Sequence, residues 1–509
     1  MERRLRRGGL GMALATLLLG VDGGRSFAQT PNFGTTGAFP PNFLFGVATA
    51  SHQVEGGNTN NDWSVFEARG DVADSAMAVD HRNLATLAAD LTRAQSLGIN
   101  AYRFSIEWSR VEPKPGQWDA AELLYYQSVI AAVRARGMTP IVGLNHFTLP
   151  KWLLDPNNLW AAPGWAEPPS TPGGLNTTGT AFVAFAKEMA ATFGGQVDIW
   201  ITLNEPTGQA MAGYVAGVWS PGVGPGPLSA LAVANVLNNM IAAHRAAFAT
   251  IKAFDTKDAD GDGRAALVGV VQNVKPVFPH APGTADDQDA KDWDYLLHKA
   301  FLDALTPVFF DPAAPPFPSY AVPSHVNGRN CWDLDFDYTC DFTPSATPFL
   351  DFIGLNYYNP AESLGSVVGV VNPSAGDVTS GGINNSVFAP WARQGAPRND
   401  FPEELFSGGP WEIFPQGLLS VLGDLFSRYR LPILVTENGI AEIGADGLSC
   451  SASKRPAFIV SHLQMVLQAI KAGIPVMGYI HWSLVDNFEW REGYDTRAKF
   501  GLFQVTFND

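Results

Sequence analysis

The segments Ile199-Trp-Ile-Thr-Leu-Asn204-Glu205-Pro206 and Pro432-Ile-Leu-Val-Thr-Glu437-Asn438-Gly439 share one design: a short apolar run, then a glutamate where the run stops. Runs this short, apolar on both alternating faces, suit strands buried on both sides. Six further runs of the same kind are spaced along the chain. In order, the eight are Leu44–Ala48, Ala101–Ile106, Pro140–Leu144, Ile199–Leu203, Leu267–Val271, Phe352–Leu355, Pro432–Val435 and Val476–Ile480. Most of the gaps contain helix-like stretches. Thr86–Leu97, Ala181–Phe193 and Ile459–Ile470 carry apolar residues at three- and four-residue spacing. Strand then helix, eight times over, predicts an α/β fold, a single (β/α)8 TIM barrel. Length would allow three average domains, but no repeat or long low-complexity tract divides the 509 residues. A composition of 46% hydrophobic and 16% charged residues suffices for one large core.

The polar residues of interest fall at or just beyond the carboxyl ends of these runs, the face on which such barrels build their sites. Gln53 follows the first run, His146 the third, Asn204 and Glu205 the fourth, Tyr358 the sixth, Glu437 the seventh and Trp482 the eighth. Residues 307–348 and 361–410 form long Pro-, Gly- and Ser-rich loops, expected to shape the mouth of a pocket.

Residues 1–28 stand apart from the fold. Arg3, Arg4, Arg6 and Arg7 precede 14 apolar residues from Gly8 to Val21, and Ser26-Phe27-Ala28 offers a small-x-small cleavage site. The pattern is that of a secretory signal peptide. A membrane anchor is the other reading, but 14 residues are short for a bilayer. The arginine pairs also allow a twin-arginine route. The expected organisation is therefore signal peptide 1–28 and barrel 29–509, secreted or periplasmic. Cleavage removes five Arg, Glu2 and Asp22, a net +3, and takes the charge from −16 to −19. Such an acidic chain argues against nucleic acid and anionic membrane as partners, and suits small neutral ligands. In an oxidising compartment Cys331 and Cys340 can close a short loop; the alternative is that both, with Cys450, stay unpaired. Asp258-Ala-Asp260-Gly-Asp262-Gly263 opens like a calcium loop, but its twelfth position is Gly269, so a solvated turn is expected and no metal site.

A dry strand end holds an acid only for a job or a partner. Two such acids facing one another can break a glycosidic bond, one protonating the leaving oxygen and the other attacking the sugar carbon. Seven segments in order then make a specific resemblance. They are Phe43-Leu-Phe-Gly-Val-Ala-Thr-Ala-Ser-His-Gln53-Val-Glu55-Gly56, Ala101-Tyr-Arg103-Phe-Ser-Ile-Glu-Trp108-Ser-Arg110, Leu144-Asn-His146-Phe147, the Asn204-Glu205-Pro206 segment, Phe352-Ile-Gly-Leu-Asn356-Tyr357-Tyr358, the Glu437-Asn438-Gly439 segment, and Trp482-Ser-Leu-Val-Asp-Asn-Phe-Glu489-Trp490. In these the chain resembles glycoside hydrolase family 1, the family of many β-glucosidases and β-galactosidases.

The resemblance implies Glu205 as acid/base and Glu437 as nucleophile, with Arg103, Tyr358 and Asn204 in support. It implies Gln53, His146, Asn204, Glu489 and Trp490 on the hydroxyls of the sugar, with Trp482 beneath its face. No cofactor is implied. The implied activity is retaining hydrolysis of terminal β-D-glycosides, glucosides first, then galactosides or fucosides, with small neutral β-glycosides or oligosaccharides as partners. A transglycosylase would use the same glycosyl-enzyme, and a carbohydrate-binding barrel without turnover is the reading from another class; intact Glu205 and Glu437 discriminate against the latter. Related phospho-glycosidases place a small residue at the position of Glu489, whose charge is expected to repel phosphate. Thioglucosidases carry Gln in place of Glu205. Three departures stand out. Phe147 occupies a position where the family usually has Trp. Two extra residues in Arg497-Ala-Lys-Phe500-Gly501-Leu502 are expected to displace an aromatic side chain from the pocket. The chain stops at Asp509 where family members usually continue into a last helix, so either the barrel closes differently here or the sequence is a shortened one.

Overall fold

The computed structural model describes residues 38–70, 72, 81–154, 164–171, 173–223, 229–279, 283, 286–309, 325–326, 329–330, 345–363, 411–442, 454–495 and 497–505. Residues 1–28, all three cysteines and most of the two long loops lie outside them. Eight parallel strands close into a barrel: β1 Leu44–Ala48, β2 Ala101–Ser105, β3 Thr139–Asn145, β4 Ile199–Asn204, β5 Leu267–Asn273, β6 Phe352–Asn356, β7 Ile433–Asn438 and β8 Val476–Trp482. Each pairs with its sequence neighbours, and β1 closes the ring by pairing with β8 from Leu44↔Gly478 to Ala48↔Trp482. The eight expected runs are these strands, within one to three residues at their ends.

Helices α1 Leu84–Ser96, α2 Ala120–Arg134, α3 Thr177–Phe193, α4 Ser229–Phe254, α5 Asp286–Asp294, α6 Pro415–Tyr429 and α7 Lys454–Lys471 lie outside the strands. The expected helices begin too late because their caps are polar and escape the apolar period. Asn83 accepts from Ala85 N at the start of α1, and Asn176 accepts from Gly179 N at the start of α3.

Two apolar layers hold the architecture. The larger packs helices against the outer strand faces. The smaller fills the barrel with Ala48, Ala101, Ile141, Ile199, Ile201, Val271, Phe352, Leu434 and Ile480. Phe352 lies inside because Gly269, across the β5–β6 ladder, has no side chain; a Cβ at Gly269 would sit 2.6–2.9 Å from the Phe352 ring. The same Gly269 ends the aspartate-rich segment. In that segment Asp258 accepts from Gly261 N and Gly263 N in an exposed turn, as expected.

Gly269→Ala should cost about 1–3 kcal/mol by overpacking. Chemical denaturation should also find that adding Phe352→Leu recovers part of that loss. An undiminished midpoint in Gly269→Ala alone would contradict this packing.

Candidate active site

Both glutamates sit where the strand ladders break step. The β4–β5 register shifts between Ile201 and Asn204, and the β6–β7 register shifts between Val435 and Glu437. Such irregularities re-aim a side chain at a strand end. Glu205 takes left-handed backbone angles (φ 45°), held by its N–H on Val271 O and its carbonyl on Gln209 N. Phe147 (φ 73°) and Trp490 (φ 35°) are left-handed too, and all three line one cavity. Each such residue costs about 1–3 kcal/mol, which the rigid barrel must hold in place.

Within this cavity the two carboxyls have opposite surroundings. Glu437, 4% exposed, accepts from Arg103 Nη1 on Oε1 (2.5 Å) and from the Tyr358 hydroxyl on Oε2 (2.6 Å). One full cation and one phenol thus both serve this carboxyl. Among the described residues Glu205 has only neutral donors, Asn356 Nδ2 on Oε1 (2.6 Å) and Asn273 Nδ2 on Oε2 (3.2 Å). Burial first, and the charge of Glu437 second, push its carboxyl from 4.5 up to about 7. Glu205 therefore keeps a proton close to neutral pH while its neighbour is paired with a cation.

Asn204 and Arg103 tie the strands together. Arg103 reaches Thr436 O (3.0 Å) and donates through Nη2 to Asn204 Oδ1 (2.6 Å). Asn204 Nδ2 donates to His146 Nε2 (3.3 Å). Burial, then the Arg103 charge, hold His146 well below its usual range, so it stays neutral and accepts.

The far end of the cavity holds Trp482, Glu489 and Trp490. The His146 ring stacks at 5.9 Å from Trp482 and 5.8 Å from Trp490. Glu489 accepts from Trp482, and burial, with Glu492 and then Glu437, raises its carboxyl well above the usual range. That direction disfavours a charge on Glu489, and Arg491 also lines the cavity. Gln53 is buried but does not line the cavity; its amide donates to Phe488 O (2.6 Å) and its Oε1 has no partner among the described residues.

Two departures resolve at this level. Phe147 packs its ring 4.8 Å from Trp219 and 5.0 Å from Trp490, so it fills an aromatic wall in place of the larger indole. The expected displacement of an aromatic after Trp490 does not occur. Phe500 lines the cavity, 6.0 Å from Tyr358, because the chain is re-anchored there: Ser483 N donates to Phe500 O and Gly501 N to Asp486 Oδ1. Just before it Ala498 N donates to Asp495 O.

The roles of Asn356, Asn273 and Lys275 were missed. Asn356 stood beside Tyr358 in a quoted segment, which was a signal; Asn273 and Lys275 follow β5, where nothing in the sequence marked them.

The family model for glycosyl hydrolase family 1 matches residues 35–509. A β-galactosidase of Pyrococcus woesei is 31% identical, over 92% of each chain. Among solved structures, a β-glycosidase from Pyrococcus horikoshii is 28% identical with a TM-score of 0.67, covering 92% of this chain and 90% of that one. A family 1 β-glucosidase from Thermotoga maritima is 26% identical with a TM-score of 0.69, covering 92% and 94%.

Arg103→Met would leave the Glu437 carboxylate buried without its cation. The expected loss of stability in urea unfolding is about 3–5 kcal/mol, and Arg103→Met with Glu437→Gln should recover much of it. Equal stability of the single and double variants would show that this pair does not act as a unit.

Proposed function

The chain belongs to glycosyl hydrolase family 1, and we propose that it is a retaining β-glycosidase acting on the non-reducing end of β-D-glucosides, with galactosides and fucosides as lesser substrates. It is a glycoside hydrolase of the β-glucosidase and β-galactosidase type. The observation that carries the finer reading is the asymmetry of the two carboxyls. Glu205, raised to about 7, is the proton donor, and Glu437, gripped by Arg103 and Tyr358, is the carboxyl placed to attack.

In the first half-reaction Glu437 attacks the anomeric carbon as Glu205 protonates the leaving oxygen. The C–O bond to the aglycone breaks and a covalent glycosyl-enzyme forms. Glu205, now ionised, then takes a proton from water, which displaces Glu437 from the sugar. Two inversions give net retention. Trp482, His146, Asn204, Glu489 and Trp490 surround the space for the sugar ring, and Gln53, with an unpartnered Oε1, is buried outside that lining. The basic, apolar and small-residue order of residues 1–28 supports export.

The stereochemical course is the direct test. NMR of the first-formed sugar from a β-glucoside should show the β anomer. Glu437→Gly should be inactive, and azide should restore turnover with an α-glycosyl azide as product. An initial α sugar from the wild type, or full activity of Glu437→Gly without azide, refutes the assignment.

Glu205 sets a second expectation. Its folded-state pKa is raised, so the protonated form needed for the first step is present below about pH 7 and lost as the pH rises through it. kcat/KM for the free enzyme should therefore fall above about pH 7. Asn356 favours the charged form of Glu205, so Asn356→Ala should move this limb upward by about one pH unit. Glu205→Ala should abolish the limb and slow poor leaving groups more than good ones. An unmoved limb in Glu205→Ala would assign it to another group.

A further inference from the structure

Lys275 has no part in the chemistry above, yet it lines the same cavity. It stands two residues beyond Asn273, which donates to Glu205. Its ammonium and the Glu205 carboxyl feel each other electrostatically, while burial works against the charge. Among the described residues it makes no hydrogen bond and no ion pair. A lysine ammonium is strongly hydrated, so holding it in a partly buried wall without a counter-ion is costly.

The position gives that cost a use. Glu205 marks the leaving-group side, because its proton goes to the leaving oxygen; Glu489, Trp482 and Trp490 mark the sugar side. When Glu205 is protonated and ready to act, it no longer offers Lys275 a negative charge. The substrate then meets a cation lacking compensation beside its aglycone. Elsewhere the cavity is lined by Glu437 and Glu492, which disfavour an anion.

Resting on the retaining-glycosidase reading, we propose that Lys275 is a specificity residue of the leaving-group side that selects β-glycosides with a carboxylate on the aglycone. The sugar itself stays neutral. A carboxylate there would accept a charge-assisted hydrogen bond in a poorly solvated wall, where such bonds are strongest.

The test compares 3-carboxy-4-nitrophenyl and 4-nitrophenyl β-D-glucosides, whose leaving groups are closely matched in acidity. The quantity is the ratio of their kcat/KM values, which does not depend on the fraction of folded enzyme. The wild type should favour the carboxylated substrate. Lys275→Met should lower the ratio about tenfold or more, the size of one hydrogen bond to a charged group. Lys275→Glu should lower it further, and Lys275→Arg should retain the preference. A wild type without preference, or a ratio unmoved by Lys275→Met, overturns the inference while leaving the glycosidase reading intact. Failure to turn over either glucoside overturns both.

Discussion

Two carboxyls buried in one cavity cannot share the same charge state at low cost, and the site is organised around that constraint. Like charges at close range in a poorly solvated space repel strongly. The conflict is resolved by unequal partners. Arg103 and Tyr358 are both spent on Glu437, while Glu205 receives, among the described residues, amide donors only. The single guanidinium does more than pair a charge. It comes from β2, bonds to Asn204 on β4, and touches both Glu437 and the Thr436 carbonyl on β7. Asn356 on β6 accepts from Thr436 and donates to Glu205, which closes the network on the other side.

Such a network needs a frame that does not yield. The barrel supplies it through a filled interior, Phe352 over Gly269 among the rest, and through a ladder with no free edge. Against that frame the chain tolerates three left-handed residues at the cavity, Glu205, Phe147 and Trp490. It also tolerates register shifts immediately before both glutamates. Local strain and local irregularity are thus concentrated where side chains must be aimed, and a regular β structure carries their cost.

Charge at this site is a property of surroundings rather than of residue type. Glu489 reads as an anion in the sequence, yet burial with Glu492 and Glu437 nearby favours its neutral form. Lys275 carries no mark in the sequence, yet it lines the cavity together with the proton-donating glutamate. His146 stands in the sequence only as a contact for the sugar, yet burial and Arg103 keep it neutral. Apart from Glu492, three residues from Glu489, the neighbours that decide these charges come from other strands or loops, far away in sequence.

That distinction separates what was legible from what was not. The eight strands were legible because each is a short run dry on both faces, and burial on both faces leaves a local composition signature. The site's location followed, since Glu205, Glu437, His146, Tyr358 and Trp482 all fall at strand ends. Helix starts were less legible, because Asn83 and Asn176 act through single hydrogen bonds that leave no period. The protonation of Glu205 and Glu489, the partners of Arg103, the retained place of Phe500 and the exposure of Lys275 to the cavity were decided only in three dimensions. Desolvation and Coulomb interaction depend on distance through space, and a distance through space between β2 and β7 has no expression in the order of residues along the chain.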